Sequence, residues 1–226
     1  MKMRDACLWL AMLPLLGIVA SAQDALHKAL AQMDASSQKF QSAQADFEWT
    51  EFEAAVQETD TQKGTIFFKR EGVEMQMAAH LTSPQEKFVV YKAGTLQLFE
   101  PKIDHLTEFS AGANRQRYES FSTLGFGGRG SSLETAWTVT YLGAETVDGV
   151  ETAKLNLVAK DPGVRNVYDH ILLWVDTGLD VSRKQQFFEP SGDYRIAHYV
   201  NIRVNGKIPA DVFKIKTTSK TTVVKK

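Results

Sequence analysis

The chain predicts a mainly β (α+β) fold in which one antiparallel sheet curls over a few helices. About a dozen short segments alternate large apolar with polar side chains, turn residues separate them at short intervals, and only two regions have helical spacing. There is no strand–helix–strand rhythm of the kind that builds a parallel sheet.

The first element is a targeting segment. Lys2 and Arg4 precede an apolar run from Leu8 to Val19, and Ala20-Ser21-Ala22 supplies a small-residue cleavage site. That order is the pattern of a secretory signal peptide, and the run is too short for a comfortable membrane span. Cleavage before Gln23 is expected, leaving residues 23–226 as a single domain exported to the periplasm. Residues 1–22 hold Lys2, Arg4 and Asp5, so 24 basic and 26 acidic groups remain, a net charge of −2. Nothing in that balance asks for nucleic acid. Cys7 is the single cysteine and lies upstream of the apolar core, so a lipid-modified first residue, a catalytic thiol and a cysteine metal site are all excluded from the mature chain.

From Asp24 to about Phe40, Leu26, Ala29, Leu30, Met33 and Phe40 recur at helical spacing and predict an amphipathic helix. After Ser42 the period changes to two. Strands are predicted over 45–52, 64–69, 73–80, 87–91, 95–99 and 103–109, with turns at Glu71-Gly72, Ser83-Pro84, Ala93-Gly94 and Glu100-Pro101. The stretch 113–136 breaks the meander: Tyr118, Phe121 and Leu124 have helical spacing, Gly125 to Gly130 reads as a mobile link, and Ser131-Ser132-Leu133-Glu134 starts another short helix. Strands resume over 137–142, 150–159, 168–176, 181–188 and 194–204, and the last is expected over 212–216.

Chemistry is sparse. Gly125-Phe126-Gly127-Gly128-Arg129-Gly130 has the letters of a dinucleotide fingerprint, but that motif works only between a parallel strand and the helix receiving the pyrophosphate. The five histidines are scattered and no pair has metal-ligand spacing on a helix. No nucleophile elbow, phosphate loop or metalloprotease motif occurs, and Glu48, Glu51 and Glu53 sit where strand alternation puts a wet face. No catalytic residue, cofactor or metal is expected.

The interior carries more signal. The chain has 13 phenylalanines and 4 tryptophans, one of the tryptophans in the signal segment, although its strands are expected to be half wet. Phe47, Trp49, Ile66, Phe68, Met75, Met77, Leu96, Leu98, Trp137 and Val139 are candidates for the inner face. A filled core and a sheet too wide for its helices, which leaves a cavity, both satisfy this pattern. Met75 and Met77 suit an irregular apolar ligand or a gap in a core equally well.

Several segments resemble the LolA family of outer-membrane lipoprotein carriers and lipoprotein-sorting proteins. Gly64-Thr65-Ile66-Phe67-Phe68-Lys69-Arg70 resembles its second strand, Lys92 to Pro101 its next hairpin, Leu172 to Asp176 and Val200 to Asn205 later strands, and Asp211 to Ile215 the closing one. The resemblance implies a half-open antiparallel barrel of about eleven strands with a helical lid. It implies a monomeric, non-enzymatic carrier that binds acyl chains of lipoproteins or lipids. An inner-membrane lipoprotein-release transporter and an outer-membrane acceptor would be its partners. It also assigns Arg70 to holding the lid by hydrogen bonds, where the residue alone reads equally as an exposed charge at a strand end. The chain departs from the family at Glu71-Gly72-Val73-Glu74-Met75, where a proline and then a lid-contacting aromatic are usual and Met75 takes the aromatic's place. The lipid site expected is Arg70, Phe47, Trp49, Ile66, Phe68, Met75, Met77, Leu98, Phe121, Leu124 and Trp137. The alternative functions are an envelope lipid-sensing module on the same fold, and an envelope hydrolase.

Overall fold

A computed structural model describes residues 16–110, 112 and 123–226, with side chains from residue 22 onward. Twelve strands form one sheet: β1 (Ser42–Glu53), β2 (Glu58–Glu71), β3 (Glu74–Ser83), β4 (Lys87–Lys92), β5 (Thr95–Glu100), β6 (His105–Ser110), β7 (Trp137–Val147), β8 (Val150–Ala159), β9 (His170–Asp176), β10 (Val181–Phe188), β11 (Tyr194–Val204) and β12 (Thr222–Lys225). Their order is β12-β6-β5-β4-β3-β2-β1-β11-β10-β9-β8-β7, so the sheet does not close. Eleven strands are antiparallel to their neighbours in two meanders that meet where β1 pairs with β11, and β12 adds to β6 in parallel. Among the described residues three helices accompany them: α1 (Leu16–Ser37), α2 (Gly130–Ala136) and α3 (Pro162–Arg165). Among the described residues no helix is long and apolar enough to cross a membrane.

Hairpin chemistry sets the register. Ala93-Gly94 and Asp148-Gly149 have positive φ at both positions (51° and 77°, 50° and 75°), the two-residue turn whose twist matches that of its strands. Once register is set, period two assigns each face: Phe47 lies between Gly64 on β2 and Tyr199 on β11, all pointing into the concavity.

The concave face is covered in two halves. Leu26, Leu30 and Met33, the predicted stripe of α1, pack on Trp137, Leu155, Leu157, Ile171 and Leu173 of β7–β9. The other half, on β1–β4 and β11, is capped by Phe40 just after α1 and by Phe126 from the loop before α2. On the convex face, Phe213 seats against Ala78 and Val90.

Several boundaries differ from expectation. α1 starts at Leu16 and ends at Ser37, with Phe40 beyond it in a turn. β2 begins at Glu58, six residues before its apolar part, because Glu58 to Lys63 pair with β1 through backbone that side-chain alternation does not register. Ile103 belongs to a 3-10 turn, Pro101–Ile103. Residues 212–216 do not form the closing strand. Ala210–Phe213 is another 3-10 turn that drops Phe213 onto the sheet, and the last strand is Thr222–Lys225. The helix expected around Tyr118 and Phe121 lies outside the described residues.

Gly64 marks where β2 and β3 come closest, at a shift in their register. A Cβ there would overlap the His80 carbonyl oxygen and lie 2.8 Å from Leu81 Cα, both main-chain atoms that cannot swing away. Gly64→Val is expected to lower unfolding stability by more than about 2 kcal/mol. Chemical denaturation measures it, and an unchanged midpoint would contradict this strand pairing.

Candidate functional site

On the inner face of the sheet, bordered by the loop at Leu124, lies a partly open cavity of about 450 Å³. Its floor is inward-facing residues of the first meander, Phe47, Trp49, Ile66, Phe68 and Met77, and Leu124 borders it from the loop. These six are expected site residues. Tyr199, Phe187 and Gln185 of β10–β11 complete the wall together with Tyr168, Val89 and Leu96. Glu51 and Gln62 bring polar groups to one end, where Arg195 bridges Glu51 and Glu189 at 3.0 Å each.

Other expected residues fall elsewhere. Met75 is buried in the same core cluster but does not line the cavity. Leu98 lies opposite Val89, on the inner face yet outside the lining. Trp137 belongs to the cluster under α1, because β7 is the far edge of the sheet. Phe121 lies outside the described residues. Sequence reasoning misses the β10–β11 wall although a signal for it exists: the β1–β11 register that places Phe47 inward places Tyr199 beside it.

The cavity is covered by Leu124–Gly127, held almost entirely through its backbone. Arg70 Nη2 donates to the Gly127 carbonyl at 2.7 Å, and its Nε donates to the Phe40 carbonyl at 3.0 Å, so one guanidinium joins this loop to the end of α1. Gln185 Nε2 donates to Leu124 O at 2.6 Å, Ser182 N–H to Gly125 O at 2.6 Å, and Gly127 N–H to Asp180 O at 3.0 Å. The Tyr199 hydroxyl donates to Gln185 Oε1 at 3.3 Å, and burial pushes its phenol well above the ordinary range. Phe126 supplies the apolar part of the closure, stacked on Phe68 at 4.0 Å and edge-on to Tyr199 at 5.0 Å.

The glycines here serve the closure. Gly125 and Gly127 have φ of 77° and 67°, and a Cβ would strike Ser182 Oγ at the first and the Phe40 ring at the second. The first part of the segment that reads from sequence as a mobile link is therefore pinned: Gly125 and Gly127 are required by backbone conformation and close approach, whereas Gly128 has open space around it.

Asp180 is out of keeping with this closure. It is 1% exposed, neither carboxylate oxygen has a hydrogen-bond partner, and the neighbouring Ser182 Oγ is likewise buried and unpartnered. Burial pushes its carboxyl from the ordinary 3.8 up to about 7; Arg70 on β2 pulls against the shift and Asp34 on α1 adds to it. Among the described residues, no group of three or more His, Cys, Asp or Glu is placed to hold a metal ion.

The chain is thus a mainly β protein, one unclosed sheet with an apolar hollow bordered by a hydrogen-bonded loop. No family model and no curated protein matches the chain. Solved structures do. An uncharacterized conserved protein from Thermus thermophilus superposes with a TM-score of 0.54 at 9% identity, over 91% of this chain and 99% of that one. The Pseudomonas aeruginosa MucA/MucB complex gives 0.51 at 13% identity, over 85% of this chain, which spans 61% of the matched chain. A LolA superfamily protein from Nitrosomonas europaea gives 0.43 at 16% identity, over 84% and 97%. At these identities the likeness to the first two is one of fold alone.

A carboxyl whose folded pKa is raised contributes stability that is whole below about pH 4 and is lost as pH rises through about 7. The span from 3.8 to about 7 corresponds to about 4 kcal/mol at most. Asp180→Asn keeps the shape and tolerates the φ of 56° without the charge. Its gain in thermal midpoint over the parent protein is expected to grow between pH 5 and 8. Parallel pH profiles for the two proteins would show that Asp180 ionises without cost.

Proposed function

We propose that this protein is a periplasmic carrier, released from a signal peptide at residues 1–22, that binds acyl chains of lipoproteins or lipids under the Leu124–Gly127 lid and passes them towards the outer membrane. The observation that carries this reading is the cavity of about 450 Å³, apolar along its floor and bordered by a loop whose carbonyls accept hydrogen bonds from Arg70 and Gln185. Its volume lies within the range of about 300–1,000 Å³ usual for small-molecule pockets. Each methylene moved from water into it contributes about 0.8 kcal/mol. A bound chain is then held too firmly to leave unaided. Release needs a receiver that binds the chain better or favours the open lid. A lipoprotein-release transporter and an outer-membrane acceptor are the partners this reading calls for.

A sensing module is the second reading, supported by the likeness in fold to MucB, which was solved in complex with MucA. Mass spectrometry of the protein purified from its native envelope separates the two. Acyl cargo without a stoichiometric protein partner is expected for a carrier, and a constant protein partner is expected for a sensor.

Two variants test the carrier directly. Val89→Phe places a ring into the hollow from β4 and is expected to reduce acyl occupancy at least about tenfold with the circular dichroism spectrum retained; unaltered occupancy would mean that the cargo binds elsewhere. Arg70→Leu removes the bonds to Phe40 and Gly127 but leaves the floor intact. It is expected to retain cargo and transfer it poorly to acceptor vesicles, and transfer at the parent rate would remove Arg70 from the lid.

A further inference from the structure

The convex face of the same strands holds a second apolar space. After β11 the chain crosses the outside of β2–β4, presses Phe213, Ile208, Val212 and Ile215 against Phe67, Ala78 and Val90, and runs on to β12. It does not cover that face completely. A groove of about 330 Å³ remains, walled by Phe67, Phe88, Val90 and Phe99 of the sheet and by Val212 and Ile215 of the crossing segment. Strand alternation separates it from the inner cavity: Phe67 points outwards into the groove, while Ile66 and Phe68 on either side of it point into the hollow.

The charges along this groove are unbalanced. Residues 205–226 carry six lysines and one acid, Asp211, a local charge of +5 in a chain whose net charge is −1. Lys225 is spent on Glu108 at 3.6 Å, and Lys226 lies over the Phe109 ring at 5.4 Å. Lys214 and Lys216 line the groove, are exposed, and have no ion-pair partner among the described residues. His80, also in the wall, is stacked on Phe88 at 4.3 Å and engaged by Glu86 at 2.9 Å. Asp211 is the one carboxylate in the lining, which leaves the two lysines in excess.

We propose that this groove is a second acyl site, taking a single aliphatic chain whose anionic head lies against Lys214 and Lys216. A neutral chain would leave both cations uncompensated beside apolar surface, and a cationic amphiphile would be repelled. The site does not depend on the carrier reading, since no residue of the closure contributes to it. A free fatty acid offers one chain beneath one negative head, and a diacyl anionic phospholipid offers the same chemistry if one of its two chains enters the groove.

The test is photolabelling of the whole mature protein with a diazirine-bearing fatty acid supplied below its micellar concentration, followed by peptide mapping. Labels are expected in the segment 211–216 and at Phe88 or Phe99. In the Lys214→Glu, Lys216→Glu double variant these labels should fall at least fivefold, while those on Trp49 and Phe187 inside the hollow are unchanged. The corresponding diazirine alcohol should label the groove equally in both proteins. Labels confined to the hollow, or groove labelling by the acid that survives the charge reversal, overturn the proposal. Groove labels with none in the hollow sustain it and count instead against the carrier. Phosphatidylglycerol vesicles that displace the groove label where phosphatidylcholine vesicles do not make the ligand a membrane lipid, and displacement by neither makes it a free amphiphile; either result sustains the site.

Discussion

An open, curved sheet has a concave face with no second sheet to cover it, and the rest of this molecule follows from how that face is dried. One amphipathic helix, α1, is wide enough for β7–β9, where Leu26, Leu30 and Met33 complete a filled core. Over β1–β4 and β11, among the described residues, Phe40 and Phe126 supply the cover, two rings set against a floor that includes Phe47, Phe68 and Tyr199. The mismatch is the cavity. The hollow, about 450 Å³, is partly open to the outside, so it need not stand empty. A hollow of that size is compatible with folding when water or an amphiphile fills it.

The closure divides its work between polar and apolar contacts. Four hydrogen bonds tie Leu124–Gly127 to Arg70, Asp180, Ser182 and Gln185, and every lid group in them belongs to the backbone. Each such bond is worth about 0.5–1.5 kcal/mol net, somewhat more for the guanidinium, because water replaces it when the lid lifts. Phe126 has no such substitute, and burying its ring is what holds the lid against the floor. The unpartnered carboxylate of Asp180 works in the other direction, since an ion confined in that cradle weakens the folded arrangement as it deprotonates. The lid is thus held by contacts that are easily exchanged around one ring that is not.

Much of the architecture was legible because period two and turn chemistry report on backbone directly. The two meanders, the Asp148-Gly149 turn, the stripe of α1 and the inward set Phe47, Trp49, Ile66, Phe68 and Met77 all follow from them. Order within the sheet did not, and its consequences account for most of the misses. Trp137 has the alternation of an inner residue, but β7 lies at the edge, where α1 rather than the hollow meets it. The β12–β6 pairing joins segments more than a hundred residues apart, and Thr222-Val223-Val224-Lys225 is too short to announce itself. The glycines of the lid read in sequence as freedom when they mark constraint, a distinction that depends on Phe40 and Ser182 standing next to them in space.

One departure from alternation carried information about the outer face. Ile66-Phe67-Phe68, Met77-Ala78-Ala79 and Val89-Val90-Tyr91 are apolar runs where a half-wet strand should interpose a polar residue. Strands that are apolar at consecutive positions are strands buried on both sides. The interrupting residues, Phe67, Ala78 and Val90, are direct cross-strand partners on β2, β3 and β4, so three separate breaks form one patch. Such a patch needs a cover, and the segment around Phe213, which reads in sequence as the closing strand, supplies it. Because that cover is a single narrow segment that seats Phe213 on Ala78 and Val90, it dries the middle of the patch and leaves a groove lined by Phe88 and Phe99 beside it.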